Sequence, residues 1–192
     1  MSGQKRFLSP KKRIVIDTHI LEAATKKEVH QRNPDLQSEN VKLENDAHEL
    51  VTAVIENSPV LVFSPEQWKE AKAHAKIHLP STFDIICELD ENNKLQRIEA
   101  SKLKGVLPDK IEKSLKKRIG RKHRSSRKGH ESVKDDIHLF RAANIMDKTL
   151  ITEDANILGD EDRKNLILNE TGIRVFSVSE ALEEHKVTQT KI

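Results

Sequence analysis

The sequence predicts an α/β fold in which helices cover a mainly parallel central sheet. Short runs of consecutive apolar, mostly β-branched residues recur along the chain, as in Arg13–Ile16 and Val60–Phe63. Such runs are typical of strands that are buried on both faces of a sheet. Segments with apolar residues at helical spacing lie between these runs, and the alternation of strands with helices is the α/β pattern.

The first strand is predicted over Arg13–Ile16, after a polar and basic segment, residues 1–12, that we expect to be loose. Thr18 is placed to cap a helix that begins around Ile20. The polar stretch from 29 to 40 contains Asn33-Pro34 and predicts a loop. A helix over 46–56 follows, because Ala47, Leu50, Val51 and Val54 share one helical face.

Val60–Phe63 is the second predicted strand, and Ser64-Pro65 has the pattern of a helix cap with proline in the first turn. It opens a helix over 66–78. Residues 83–89 and 94–100 flank Asp90-Glu-Asn-Asn93, which resembles a turn between two strands. A helix through this stretch is the alternative, and the sequence leaves both open.

The last third of the chain repeats the alternation of helices and strands. The predicted elements are a helix over 109–118, a basic loop over 120–129, a helix starting near Lys134, a strand over 149–152, a helix over 160–169, a strand over 173–178 and a helix over 180–186 capped by Ser179.

Length and composition indicate one domain with a polar appendage. The chain has 192 residues, of which 35% are hydrophobic and 34% charged. We place a single domain at 13–186, with a basic insertion at about 114–130 and a tail at 187–192. The single cysteine, Cys87, excludes an intramolecular disulfide, and its apolar surroundings favour packing over catalysis. No membrane segment or secretory signal is evident, so we expect a cytoplasmic location and no membrane partner.

The positive charge of the chain is concentrated in one segment. Between Ser114 and Lys128 lie eight Lys or Arg residues and no acid. We expect these residues to contact nucleic-acid phosphates, although a solvated charge run is the alternative. They are Lys116, Lys117, Arg118, Arg121, Lys122, Arg124, Arg127 and Lys128.

Four acidic residues are the candidates for chemistry. Asp17 and Asp154 follow predicted strands, where ligands bind in parallel sheets, while Glu70 and Asp136 lie near the starts of helices that reach the same edge. Gathered carboxylates repel one another unless a cation neutralises them, and oxygen ligands suit Mg²⁺ or Mn²⁺. Taken singly, each acid also fits a turn, a helix cap, a solvated helix position or a charge that complements a helix dipole.

Four segments together resemble the acidic motifs of PIN-domain nucleases, in the same order. They are Ile14-Val-Ile-Asp17-Thr18, Ser64-Pro-Glu-Gln-Trp-Lys-Glu70, Asp136-Ile-His-Leu-Phe-Arg-Ala-Ala143 and Leu150-Ile-Thr152-Glu-Asp154. The resemblance spans residues 12 to 178. It implies a three-layer α/β/α sandwich with a mainly parallel central sheet, and cleavage of RNA that depends on Mg²⁺ or Mn²⁺.

The resemblance also implies roles for individual residues. Asp17, Glu70, Asp136 and Asp154 would be the catalytic and metal-binding acids. Thr18 and Thr152 would support them, and Asp135 is the alternative to Asp136. The family usually has Asn two residues after its first acid, where this chain has His19, which either holds the Asp17 loop equally well or alters activity.

Three further side chains could be metal ligands or stack on a base, but the sequence does not favour either role. His19 and His138 belong to no histidine or cysteine cluster, so we expect them to be packed or solvated rather than metal ligands. Trp68 follows the predicted cap at Ser64 and is expected to anchor the core rather than stack on a base.

The sequence therefore predicts a ribonuclease that depends on a divalent metal. Two other functions stay open: a nucleic-acid-binding or partner-regulated protein of the same fold that cleaves poorly, and a structure-specific DNA nuclease. RNA is the expected partner, and the resemblance adds an antitoxin-like protein inhibitor and a homodimer.

Overall fold

The structure is a computed structural model that describes residues 7–32, 40–57, 59–77, 80–119, 136–159 and 161–190. Its five strands are β1 Arg13–Ile16, β2 Val60–Phe63, β3 Leu95–Arg97, β4 Thr149–Ile151 and β5 Arg174–Phe176. They form one sheet in the order β3-β2-β1-β4-β5, and every neighbouring pair is parallel. The predicted parallel α/β fold is confirmed.

Helices account for most of the remaining described residues. They are α1 Thr18–Arg32, α2 Val41–Asn57, α3 Pro65–Ile77, α4 Pro80–Glu91, α5 Ala100–Leu103, α6 Asp109–Ile119, α7 Ile137–Ile145, α8 Ala155–Leu158, α9 Glu161–Thr171 and α10 Val178–Thr190. None of these helices is long and apolar enough to cross a membrane.

The hydrophobic core has two parts, one on each face of the sheet. Ile14 and Ile16 of β1 pack with α1, α2, α3, α4 and α10, whereas Val15 packs on the opposite face with α5, α6, α7 and α9. This division follows from the alternation of side chains along a strand. The result is the three-layer α/β/α arrangement.

The strand order reverses at the central strand. The chain adds β2 and β3 on one side of β1, and then β4 and β5 on the other. The helices that follow β1 and β4 lie on opposite faces of the sheet, since Ile20 of α1 and Ile167 of α9 belong to different core clusters. Ligands of open parallel sheets bind at such a reversal of strand order, beyond the carboxyl ends of the strands.

Neither alternative for residues 83–100, a hairpin or a helix throughout, is right. Residues 83–89 lie within α4, whereas residues 94–100 contain β3, which pairs in parallel with β2. Ile86 and Leu89 are one helical turn apart and are both fully buried on the core side of α4. The helical alternative was therefore right for the first segment only.

The ends of the domain are more ordered than expected. Phe7 and Leu8 lie in the segment that we expected to be loose, yet both are buried in the core, and the ring of Phe7 meets that of Phe176 edge to face at 5.0 Å. Burial of two large apolar side chains holds this segment against the sheet. Helix α10 continues to Thr190, so the tail also begins later than predicted.

Two predicted helix caps are also corrected. Asp17 caps α1 in place of Thr18, because its Oδ1 accepts the backbone N–H of His19 at 3.1 Å. Ser177 caps α10 in place of Ser179: the Glu180 N–H donates to Ser177 Oγ at 3.2 Å, and the Glu180 carboxylate accepts the Ser177 N–H. The predicted loop from 29 is likewise helical as far as Arg32.

Several predicted features lie outside the described residues. These are Asp135, Arg121, Lys122, Arg124, Arg127, Lys128 and the basic loop over 120–129. Lys116, Lys117 and Arg118 belong to the last turns of α6.

Candidate active site

Asp17 follows the central strand and is held by donors from two directions. Its backbone N–H donates to the carbonyl of Ile151 at 2.9 Å, which extends the pairing of β1 with β4 by one residue. Its Oδ1 is approached by the backbone N–H of His19 at 3.1 Å and by His19 Nδ1 at 3.2 Å. Its Oδ2 accepts the Thr152 hydroxyl at 2.7 Å.

Thr152 joins the ends of β1 and β4. Its side chain is fully buried, and its hydroxyl oxygen accepts the backbone N–H of Asp154 at 3.0 Å while donating to Asp17. The turn after β4 therefore presents Asp154 beside Asp17. The supporting role that the resemblance implies for Thr152 stays a prediction.

Asp17 is buried, and hydrogen bonds from the protein stabilise its ionised form. Burial raises the pKa of Asp17, but hydrogen bonds from His19 and Thr152 outweigh it and hold the pKa below its usual range. The hydrogen bond to Asp17 raises the pKa of His19 to about 9. Burial opposes this shift, whereas the negative charges of Asp17, Glu22 and Glu70 add to it. The His19 side chain is 75% exposed, so it covers Asp17 from the solvent side.

Asp136 immediately precedes α7 and points its carboxyl group toward the other acids. Burial raises the pKa of Asp136 to about 8, with a hydrogen bond to Asp154 and the negative charges of Asp154, Asp17 and Glu70 as further causes. These effects require proximity. The three other acids predicted from the sequence therefore each contribute to the raised pKa of Asp136.

Glu70 lies on helix α3, and the first turn of this helix is hydrogen-bonded to β1. Ser64 Oγ accepts the N–H of Gln67 at 3.1 Å, and Gln67 Oε1 accepts the N–H of Ser64 at 3.1 Å, which is a reciprocal capping box. The Gln67 amide also donates to the carbonyl of Ile16 at 2.8 Å. Glu70 thus projects from a helix whose start is fixed to the residue before Asp17.

His138 lies behind Glu70 on α7. Its side chain is only 3% exposed, which confirms that it is packed. Its Nδ1 lies 2.9 Å from Ser64 Oγ, and its Nε2 lies 3.6 Å from Glu70 Oε1. This contact places an imidazole at the margin of the acidic cluster.

Some site residues differ from their sequence-based interpretation. The Thr18 hydroxyl is buried and makes no hydrogen bond to any described residue. Gln67 was not singled out, although Ser64 followed three residues later by Gln is the sequence signal of a capping box. Trp68 packs partly against the core, as expected, with the Arg97 guanidinium 3.7 Å from its ring centroid.

The four acids fit a hard divalent cation in chemistry and in charge. They offer oxygen donors only, and burial together with the neighbouring negative charges disfavours the ionised form of Asp136, which a counterion would offset. However, no three His, Cys, Asp or Glu side chains within the described ranges already stand in a metal-ligating arrangement. A cation would have to draw the carboxylates closer together.

Comparison of the chain with protein-family models, with curated proteins and with solved structures finds no match.

Proposed function

We propose that the protein is a ribonuclease that hydrolyses phosphodiester bonds with the help of Mg²⁺ or Mn²⁺ bound by Asp17, Glu70, Asp136 and Asp154. One observation supports the proposal: Thr152 joins Asp17 to the backbone of Asp154 where the strand order reverses, and the charges of Asp17, Glu70 and Asp154 help to raise the pKa of Asp136. Gathering like charges around the buried Asp17 costs stability, and a function that needs the negative field accounts for that cost.

Each acid has a distinct structural support. Three donor atoms, from His19 and Thr152, fix both oxygens of Asp17 and so define the direction of its remaining lone pairs. Asp154 is oriented through its own backbone N–H, and Asp136 is oriented by its hydrogen bond to Asp154. These hydrogen bonds fix the directions of the acidic groups, and a bound cation would only have to draw the carboxylates closer together.

A bound Mg²⁺ or Mn²⁺ supplies positive charge for the scissile phosphate and lowers the pKa of a bound water. The protein residues hold and orient the acidic groups, and the edge of the sheet gives access from solvent. Positively charged residues at the end of α6 and in the basic segment beyond it would bind the flanking RNA backbone.

The proposal is tested by cleavage of a single-stranded RNA with Mg²⁺ or Mn²⁺, comparing the native protein with Asp17→Asn and Asp154→Asn. Both variants should lose cleavage while keeping the circular dichroism spectrum, because the amide retains the shape but not the charge. Asp162→Asn, an exposed residue of α9, is the matched control and should cleave normally. Cleavage that persists in excess chelator, or in either site variant, argues against the mechanism.

A second function is binding of nucleic acid without cleavage. The observation in its favour is that no three described side chains form a ready-made ligand set. RNA binding that is independent of Mg²⁺, together with the absence of cleavage in any metal, would support it. Repeating the cleavage assay on structured DNA separates an RNA enzyme from a DNA enzyme.

A further inference from the structure

His138 of α7 lies between two polar side chains, Ser64 just before α3 and Glu70 within α3. Ser64 and His138 are 1% and 3% exposed, and they come from segments 74 residues apart. Their contact crosses the junction between β2 and α7. Polar groups this deeply buried are costly unless they are paired, so their arrangement restricts where the hydrogens lie.

The hydrogen bonds of Ser64 assign a proton to His138. Ser64 Oγ accepts the backbone N–H of Gln67, so its own hydroxyl hydrogen needs an acceptor. Among the described residues, His138 Nδ1 at 2.9 Å is the acceptor within reach. With Nδ1 accepting, the ring hydrogen lies on Nε2.

That Nε2–H group is buried and has no hydrogen-bond partner among the described residues. Glu70 Oε1 lies 3.6 Å from Nε2, which is slightly beyond hydrogen-bonding distance. The Glu70 side chain is 42% exposed, whereas that of His138 is 3% exposed. A small rotation of Glu70 would complete the hydrogen bond.

We propose that His138 is a positioning residue for Glu70. Its Nε2–H holds one carboxylate oxygen of Glu70, which leaves the second oxygen for the cation that Asp17, Asp136 and Asp154 share. Ser64 acts one step further back by setting the hydrogen on the ring. This role rests on the proposed function of the four acids, and it adds an orienting residue outside that set. Residues that orient metal ligands in this way affect affinity strongly.

The contact itself is tested first in protein kept free of divalent cations by a chelator. Nitrogen-15 NMR of the histidine rings should show His138 with its hydrogen on Nε2, and Glu70→Leu should shift that resonance because the charged acceptor is lost. His185, which is 5% exposed and lies on α10, serves as the internal control and should not shift. A His138 ring with a bare Nε2, or a resonance insensitive to Glu70→Leu, overturns the proposal.

The consequence for the site is tested by Mn²⁺ titration calorimetry in a double-mutant cycle. His138→Leu should weaken Mn²⁺ binding by about 10-fold or more. In a Glu70→Leu background the same substitution should change it by less than about 2-fold, since the group that His138 orients is gone. His185→Leu, an equally apolar replacement of a buried histidine, should leave affinity unchanged.

The outcomes separate the two proposals. Native protein that binds no Mn²⁺ contradicts the cation site and the positioning role together, whatever the NMR shows. Native protein that binds Mn²⁺ while His138→Leu and Glu70→Leu act additively contradicts the positioning role alone. Where His138→Leu does not fold, His138→Gln replaces it in the cycle, because its amide keeps a donor and should restore part of the affinity.

Discussion

At neutral pH Asp136 keeps its proton for the most part, because burial and the neighbouring acids raise its pKa to about 8. The unfolded chain releases that proton near the ordinary value of 3.8. Between these two values the folded protein binds more protons than the unfolded protein. The contribution of Asp136 to stability should therefore fall as the pH rises from about 4 to 8, and level off above.

Replacing Asp136 by Asn should remove this pH dependence. Without divalent cations, the free energy of unfolding of Asp136→Asn should exceed that of the native protein by about 1–3 kcal/mol at pH 8, with a smaller difference at pH 5. Urea denaturation at both values measures it. Asp162→Asn changes an exposed carboxylate of α9 and should show no such trend. An unchanged pH slope in Asp136→Asn would contradict the clustering of the acids.

The positions of residues that directly follow strands were predictable from the sequence. The positions of residues that depend on the packing of distant segments were not. Asp17 and Asp154 come after apolar runs, so their place at the sheet edge follows from the local sequence. The position of His138 depends on how α7 packs beside Ser64, and no pattern in the sequence links the two. Histidine on a helix face has too many alternatives to be assigned without its neighbours.

Among the elements, α3 has the most direct bearing on the site. Gln67 is fully buried. Its side-chain amide accepts the Ser64 N–H and donates to the Ile16 carbonyl. Gln67→Leu replaces the amide by an apolar side chain of similar size and removes the partner of both backbone groups. We expect it to lower the free energy of unfolding by about 1–3 kcal/mol.

The capping box of α10 provides the matched comparison for α3. The Glu180 side chain there is 40% exposed, so water can replace the lost hydrogen bond in Glu180→Leu. Urea denaturation of the two variants should show the larger loss for Gln67→Leu. Equal losses, or a larger loss for Glu180→Leu, would contradict the role of Gln67 in tying α3 to β1.

Elements with a strong local signal were predicted well, and those decided by long-range packing were not. Strands β1, β2 and β4 have consecutive apolar residues that suit burial on both faces. The segment 83–89 fits a strand as well as a helix, because its apolar residues permit both patterns. Packing of Ile86 and Leu89 into the core decides for the helix, and that contact is invisible in the sequence.

At the scale of the whole molecule, the strand order explains why distant segments share one site. Placing β1 between β2 and β4 brings Asp17 beside Thr152, which is 135 residues further along the chain. The parallel fold was predictable from alternation of strands and helices. The order of strands was not, because it depends on which strands pair.

The basic segment should contribute to RNA affinity by neutralising phosphates alone. Replacing Arg121, Lys122, Arg124, Arg127 and Lys128 by neutral residues should weaken RNA binding and flatten its dependence on salt, by about 0.7 in logarithmic slope for each phosphate that is no longer neutralised. Fluorescence anisotropy at several salt concentrations measures the slope. Cleavage at saturating RNA should change much less. An unchanged slope would show the segment to be a solvated charge run.

The central claim is that the four acids form one site that binds a divalent cation. The most direct measurement is a crystal structure of the protein soaked in Mn²⁺, with the metal located by its anomalous scattering. The account predicts a peak bounded by carboxylate oxygens of Asp17, Asp136 and Asp154 at about 2.1 Å, with Glu70 bound directly or through water. A protein in which Mn²⁺ binds elsewhere, or in which these four side chains point apart, would contradict it.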